Sequence, residues 1–186
     1  IGKNLINGDR FAALHSHLGS LLFDIVGTPS TGTDTIKTLK NYVLSLGGEP
    51  LLLHKEHKGY VFNSMIGPIL GASLKLYIDD IGSIAEIDAT WMNITQSALG
   101  PFGLMDLFGL DLIYQTWLVR DPSQHDPIQQ QVLSLLAPMV GNQLLGIKTG
   151  HGFYTYPDPT YAKPEFGKES LHSNAIEYAL LSFWIQ

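Results

Sequence analysis

The 186-residue chain contains no cysteine. Disulfides, thiolate-ligated zinc and thiol catalysis are therefore excluded. Positive charge is also scarce: 11 Lys and Arg stand against 17 Asp and Glu, a formal net charge of −6. With no polybasic stretch, nucleic acid and anionic membranes are poor partners. No apolar run reaches the roughly 18 residues of a membrane span, and no signal-peptide pattern is visible. A cytoplasmic protein is the expectation. The 19 glycines form neither G-x-G-x-x-G after a strand nor G-x-x-x-x-G-K-[ST], so no phosphate cradle is recognisable. "GTPSTGTD" (27–34) is Gly- and Thr-rich in the wrong pattern, and "KTGHG" (148–152) follows a helix and reads as a turn. The first residue is Ile1 rather than Met, and the chain is expected to be an incomplete portion of a longer protein.

What is present is 45% hydrophobic, enough for a sizeable core. Residues 10–17 and 21–27 read as strands. Gly19-Ser20 between them suits a type II′ hairpin turn. Residues 28–34 form a loop leading into a helix capped by Thr33 or Asp34, with Ile36, Leu39, Tyr42, Val43 and Leu46 as its apolar stripe. Gly47-Gly48 ends it, and 50–54 reads as a short buried strand. From Gly59 the texture becomes helical. A long helix over 59–80 carries a kink at Pro68. Ser83-x-x-Glu86 opens a second helix with a capping-box pattern. A third is predicted over 103–118, and a fourth over 127–143 after a polar, Pro-containing loop at 121–127. Residues 157–170 read as loop and 171–184 as a terminal helix. The boundary between the sheet-containing piece and the helical piece falls near His57–Gly59.

The stretch "RFAALHSHLGSLLFDIVG" (10–27) places ionisable groups inside strands that read as buried. If the Gly19-Ser20 turn forms, His15 lies opposite Asp24, with Cβ atoms about 5 Å apart. A carboxylate bonded to one imidazole nitrogen fixes the tautomer and raises the basicity of the other, which suits proton abstraction from a hydroxyl. The alternative is a core histidine satisfied by a backbone carbonyl beside an edge-strand aspartate. A third reading is metal: His15 and His17 share a strand face, His54 and His57 bracket another edge, and Asp24 or Glu56 could complete a zinc site. Spacing alone does not join these two clusters. Asn63, in the first turn of the long helix among Tyr60, Val61, Phe62 and Met65, is either a cap or loop-pinning amide or a ligand contact where the two pieces meet.

Several segments, in order over about residues 10–156, resemble the L-3-hydroxyacyl-CoA dehydrogenase family. "HKEHKGYVFNSMIGPIL" is similar to the family's opening of its helical domain. "IAEIDATW" resembles its hydrophobic-x-x-I-D segment, "ALGPFGLMDLFGLDLIY" its G-P-F-x-x-x-D-x-x-G-L-D run, and "KTGHGFYTY" its K-x-G-x-G-F-Y-x-Y. The resemblance implies an α/β remnant, the last strands of a Rossmann-like NAD-binding domain, over 1–57. An all-α substrate-binding and dimerisation domain then follows over 58–186. It implies NAD-dependent oxidation of a 3-hydroxyacyl-CoA to the 3-ketoacyl-CoA, an acyl-CoA-type substrate and a homodimer. It maps the catalytic histidine onto His15, its acidic partner onto Asp24 and the substrate-site asparagine onto Asn63. No metal is implied. The chain departs from the family in four respects, one of them a stretch between His15 and Asp24 that is shorter than usual. Ser16-His17-Leu18-Gly19 stands where Asn-Pro is usual, Asp24 where Glu is usual, and the dinucleotide fingerprint is not present. His17 is the alternative to His15, and a non-catalytic dimerisation or scaffold domain is the alternative to an enzyme.

Overall fold

The computed structural model describes residues 5–17, 20–120 and 128–167. The expected loop at 121–127 and terminal helix at 171–184 fall outside them. By its internal contacts the chain divides into two compact units, Ile1–Pro68 and Ile69–Gln186.

The first unit holds a three-stranded sheet in the order β1-β2-β3. Strand β1 (Ala12–Ser16) runs antiparallel to β2 (Leu22–Gly27), and β2 runs parallel to β3 (Glu49–Leu52). Helix α1 (Thr33–Ser45) makes the crossover that a parallel pair requires. Pairing places Ser16 opposite Phe23 and His15 opposite Asp24, the register expected from the hairpin. Ser20 N–H donates to His17 O at 3.1 Å; residues 18 and 19 fall outside the described ones. Side chains alternate across a strand. His15, His17 and Asp24 therefore share one face, and Phe23 and Ile25 point to the other, where Phe23 packs closely on Gly48 beyond the end of α1.

Two details of α1 differ from expectation. Its cap is Gly32, not Thr33 or Asp34. The N–H of Gly32 donates to Asp9 O at 2.7 Å, and Thr35 Oγ1 donates to the same carbonyl at 2.8 Å. The chain upstream of β1 thus ties down the helix start. Within the apolar stripe Val43 is fully buried, but Tyr42 and Leu46 are exposed, because a sheet of three strands covers only part of the helix.

Helix α2 (Phe62–Ile78) contains Pro68, where the two units divide. The second unit continues with α3 (Ile84–Thr95), α4 (Pro101–Phe108), α5 (Leu110–Leu118) and α6 (Gln129–Gly141). Leu74, Phe102, Met105, Leu110, Val132 and Leu136 form its core. No helix among the described residues is long and apolar enough to cross a membrane.

The helix predicted over 103–118 is two helices, and the first starts earlier, at Pro101, where a proline lacks nothing by having no N–H. Gly109 separates them with φ 99°. Its N–H closes α4 on Met105 O at 2.9 Å, and its carbonyl opens α5 by accepting from Ile113 N at 3.1 Å. An apolar periodicity runs smoothly through such a break, so the pattern alone reads as one helix.

The capping box of α3 is present. Glu86 N–H donates to Ser83 Oγ at 3.3 Å, and Ser83 N–H donates to Glu86 Oε2 at 2.9 Å. Ser83→Ala is expected to lower stability by about 1 kcal/mol, read as a small drop in urea midpoint with an unchanged slope.

Candidate active site

Asp24 lies on the central strand and is fully buried. Its Oδ2 is 3.4 Å from His15 Nδ1 and 3.0 Å from His17 Nε2. The imidazoles of His15, on β1, and His17, just past its end, therefore converge on one carboxylate oxygen. The His17 approach lies off the direction of a hydrogen bond, so His17 Nε2 is buried without a hydrogen-bond partner; so is Asp24 Oδ1, the other carboxylate oxygen. The His15 side chain is 32% exposed and that of His17 7%. With Nδ1 turned to Asp24, the Nε2 of His15 is the nitrogen left to meet a ligand.

Two aromatic rings complete the cluster. Tyr60 stacks on His15 with centroids 4.7 Å apart and planes 16° from parallel, and Phe62 meets His17 edge-on at 5.5 Å. Gly59 (φ 85°) and Tyr60 (φ 50°) both sit in the left-handed region. For tyrosine this conformation costs roughly 1–2 kcal/mol. The tight reversal before α2 brings the ring onto His15. The spacing of Gly59 and an aromatic just before a helix was visible in the sequence; its partner was not.

Asn63 is the second residue of α2 and is exposed. Its side-chain amide has no hydrogen-bond partner among the described residues, so it neither caps the helix nor pins a loop. His54 and Glu56 are exposed, and His57 Nδ1 is spent on Ser64 Oγ at 3.1 Å. Neither histidine nor Glu56 joins the cluster at Asp24, which is the one metal-capable trio among the described residues.

The second unit holds a different pair of buried carboxylates. Asp88 of α3 is fully buried and accepts from the N–H groups of Phe102 (2.8 Å) and Gly103 (3.0 Å), the first turn of α4, and from Tyr154 OH (2.9 Å). Asp106 of α4 accepts from the N–H groups of Phe153 and Tyr154, both at 2.9 Å, and from Tyr156 OH at 3.0 Å. Burial pushes both carboxyls above the usual range, against the pull of these donors. Burial, followed by the charge of Asp88, pushes the Tyr154 hydroxyl up, so it stays a donor. A β-carbon at Gly100 would overlap Asp88, and one at Gly152 would overlap Asp106. The I-D, G-P-F-x-x-x-D and G-F-Y-x-Y segments are thus a hydrogen-bonded frame: two carboxylates, the backbone they hold, and the glycines that let them approach. A cleft of about 940 Å³ lies wholly within this unit, lined by residues including Glu86, Asn93, Lys163 and Phe166. Neither Asp88 nor Asp106 lines it.

The family model for the C-terminal domain of 3-hydroxyacyl-CoA dehydrogenase matches residues 59–156. The chain belongs to this family. Similar curated relatives are the mitochondrial hydroxyacyl-coenzyme A dehydrogenases of Rattus norvegicus and Homo sapiens. Each is 32% identical over 154 residues, covering 80% of this chain and 48% of the relative. The chain thus spans about half the length of these relatives. Among solved structures, a diketoreductase superposes with a TM-score of 0.72 at 32% identity, covering 81% of this chain and 53% of that one. The (S)-3-hydroxybutyryl-CoA dehydrogenase PaaH1 of Ralstonia eutropha superposes with a TM-score of 0.70 at 25% identity, covering 84% and 56%. A small sheet followed by helices is the arrangement expected of this dehydrogenase family from the resemblance. The frame around Asp88 and Asp106 occupies the matched region, whereas His15 and Asp24 precede it.

Proposed function

We propose that this chain is an incomplete portion of an NAD-dependent 3-hydroxyacyl-CoA dehydrogenase, with His15 as general base, Asp24 as the group that orients it and Asn63 as a substrate contact. The observation that carries the reading is the buried Asp24 carboxylate facing His15 Nδ1, which leaves Nε2 on a ring that solvent reaches. In the forward direction His15 Nε2 takes the proton of the 3-hydroxyl. Asp24 holds the other nitrogen and stabilises the imidazolium that forms. Asn63, exposed and without a partner, offers its amide to the substrate's oxygen atoms. Tyr60 restricts the His15 ring to one plane.

NAD supplies the acceptor for the C3 hydride. The dinucleotide fingerprint that would hold its phosphates is not present in the sequence. In the turn after β2, Thr28 N–H donates to Thr31 Oγ1 and Gly32 N–H donates to Asp9 O, both at 2.7 Å. The Thr28 amide is thus used within the turn and the Gly32 amide by the chain upstream of β1, and no phosphate-binding glycine pattern accompanies them. We therefore assign residues 1–57 to the end of a dinucleotide-binding domain whose phosphate-binding part is not among them. Residues 58–186 are assigned to substrate binding and dimerisation. Exposed Ile94, Leu112, Leu118 and Val119 support a second copy as the partner of the helical part. The compartment assigned is the cytoplasm.

The test is Asp24→Asn in the complete enzyme that carries this chain, assayed by nicotinamide absorbance with a 3-hydroxyacyl-CoA. An amide in place of the carboxylate cannot stabilise the imidazolium, and kcat should fall by about 10² or more with KM little changed. Activity close to that of the unaltered enzyme would remove Asp24 from the mechanism.

A further inference from the structure

We propose that His15, His17 and Asp24 form a three-ligand site for a divalent transition metal of the zinc class. The inference does not depend on the dehydrogenase reading. The donor atoms of the three side chains lie within 4.8 Å of one another. Two of their separations are 3.0 and 3.4 Å. A tetrahedral ion with metal–ligand bonds of about 2.0–2.1 Å has ligands roughly 3.3 Å apart, so these two match edges of such a shell, and the widest separation, up to 4.8 Å, has to close when an ion binds.

The bonding pattern separates this from an ordinary charge-assisted pair. Hydrogen bonds between imidazolium and carboxylate run to about 2.7–2.9 Å and are directional. Here the His15 contact is long, and the His17 contact is close but misdirected. Two donors of one ion have this relation, because their lone pairs point to a common centre and not at each other. The orphaned atoms agree. His17 Nε2 and Asp24 Oδ1 are buried without partners, an expensive condition for polar groups in a protein interior. An ion held by His17 Nε2 and the Asp24 carboxylate satisfies that nitrogen, and a carboxylate that binds through both oxygens satisfies Oδ1 as well. Its ligand set, two neutral imidazoles and one carboxylate, matches zinc, cobalt or nickel and not magnesium or calcium. Three protein ligands leave a fourth position, and the exposed side of His15 opens it to solvent. Occupancy would tie up the His15 nitrogen that faces Asp24, so metal and general-base chemistry would compete for the same groups.

The experiment titrates the purified full chain with Co²⁺ and follows its visible absorption. One equivalent giving the intense bands of tetrahedral cobalt, displaced by Zn²⁺, is expected. His17→Phe should weaken binding at least 100-fold, since it removes a ligand while keeping an aromatic ring against Phe62. A His54→Ala, His57→Ala double variant should bind as the unaltered chain does. Circular dichroism checks that each variant is folded. X-ray absorption on the zinc-loaded unaltered chain needs no variant, and two imidazole nitrogens should appear in the first shell. Octahedral cobalt only, His17→Phe binding undiminished, or a zinc shell with fewer than two imidazoles would each overturn the site.

Discussion

Replacing Asp88 by Asn is expected to cost the helical unit roughly 3–5 kcal/mol, a large part of the 5–15 kcal/mol that separates folded from unfolded domains. The carboxylate receives three donors and has no donor of its own. An asparagine offers one oxygen and an NH₂ that must face an N–H or the Tyr154 hydroxyl. At least one buried donor is then unsatisfied, at about 1–3 kcal/mol, on top of the charge-assisted bonds lost. The first turn of α4 loses the anion at its amino end as well. Calorimetric or spectroscopic melting should show a fall of ten degrees or more for the transition that reports this unit. The exposed Asp111–Lys148 pair is the contrast: Asp111→Asn should change stability by less than about 1 kcal/mol. Equal effects from the two substitutions would mean that Asp88 is not the anchor its bonds suggest. The pH dependence has a definite sign. Burial raises the Asp88 carboxyl in the folded state, so the folded state holds its proton more tightly than the unfolded chain does. That contribution is complete below the ordinary carboxylate range and is lost as pH rises through the raised value. The gap between the unaltered chain and Asp88→Asn should therefore be wider in acid than at neutral pH.

His15→Ala in the complete enzyme should lower kcat by about 10²–10⁴, equivalent to roughly 3–5 kcal/mol of transition-state stabilisation. KM should move little, because the proton is transferred in the transition state and the ring contributes little to ground-state binding. The fold should survive, since the His15 side chain is a third exposed and Asp24 retains His17 nearby. His17→Ala distinguishes the two histidines. Its ring is almost fully buried and its near nitrogen faces Asp24, so it is poorly placed to meet substrate and should affect kcat less. Steady-state kinetics on both variants decide the assignment. The opposite ranking would move the base to position 17.

The pairing of His15 with Asp24 was legible because it is local. A turn near Gly19-Ser20 fixes the register, and alternation puts both groups on one face. The capping box at Ser83 and Glu86 was legible for the same reason: its bonds close within one helical turn. What escaped the sequence is set by distant partners. Asp88 meets Tyr154, and Asp106 meets Tyr156, and no periodicity links positions so far apart. Gly109 broke a helix that the apolar pattern carried straight through, because its φ of 99° suits glycine and a β-carbon there would crowd Asp111 and Lys148. The convergence of His17 on Asp24 lies between these cases. Its spacing from His15 was plain, but the shared oxygen appears only when the strands are paired in three dimensions.

Tyr154 joins both carboxylates, giving its backbone N–H to Asp106 and its hydroxyl to Asp88. On a ribosome, α3 and α4 emerge well before this residue. Until it arrives, two acidic side chains in nascent apolar helices lack their partners. Completion of the bundle is thus deferred to the last ribbon of the matched region, and a chain stalled short of it would carry both helices but not the knot that fastens them.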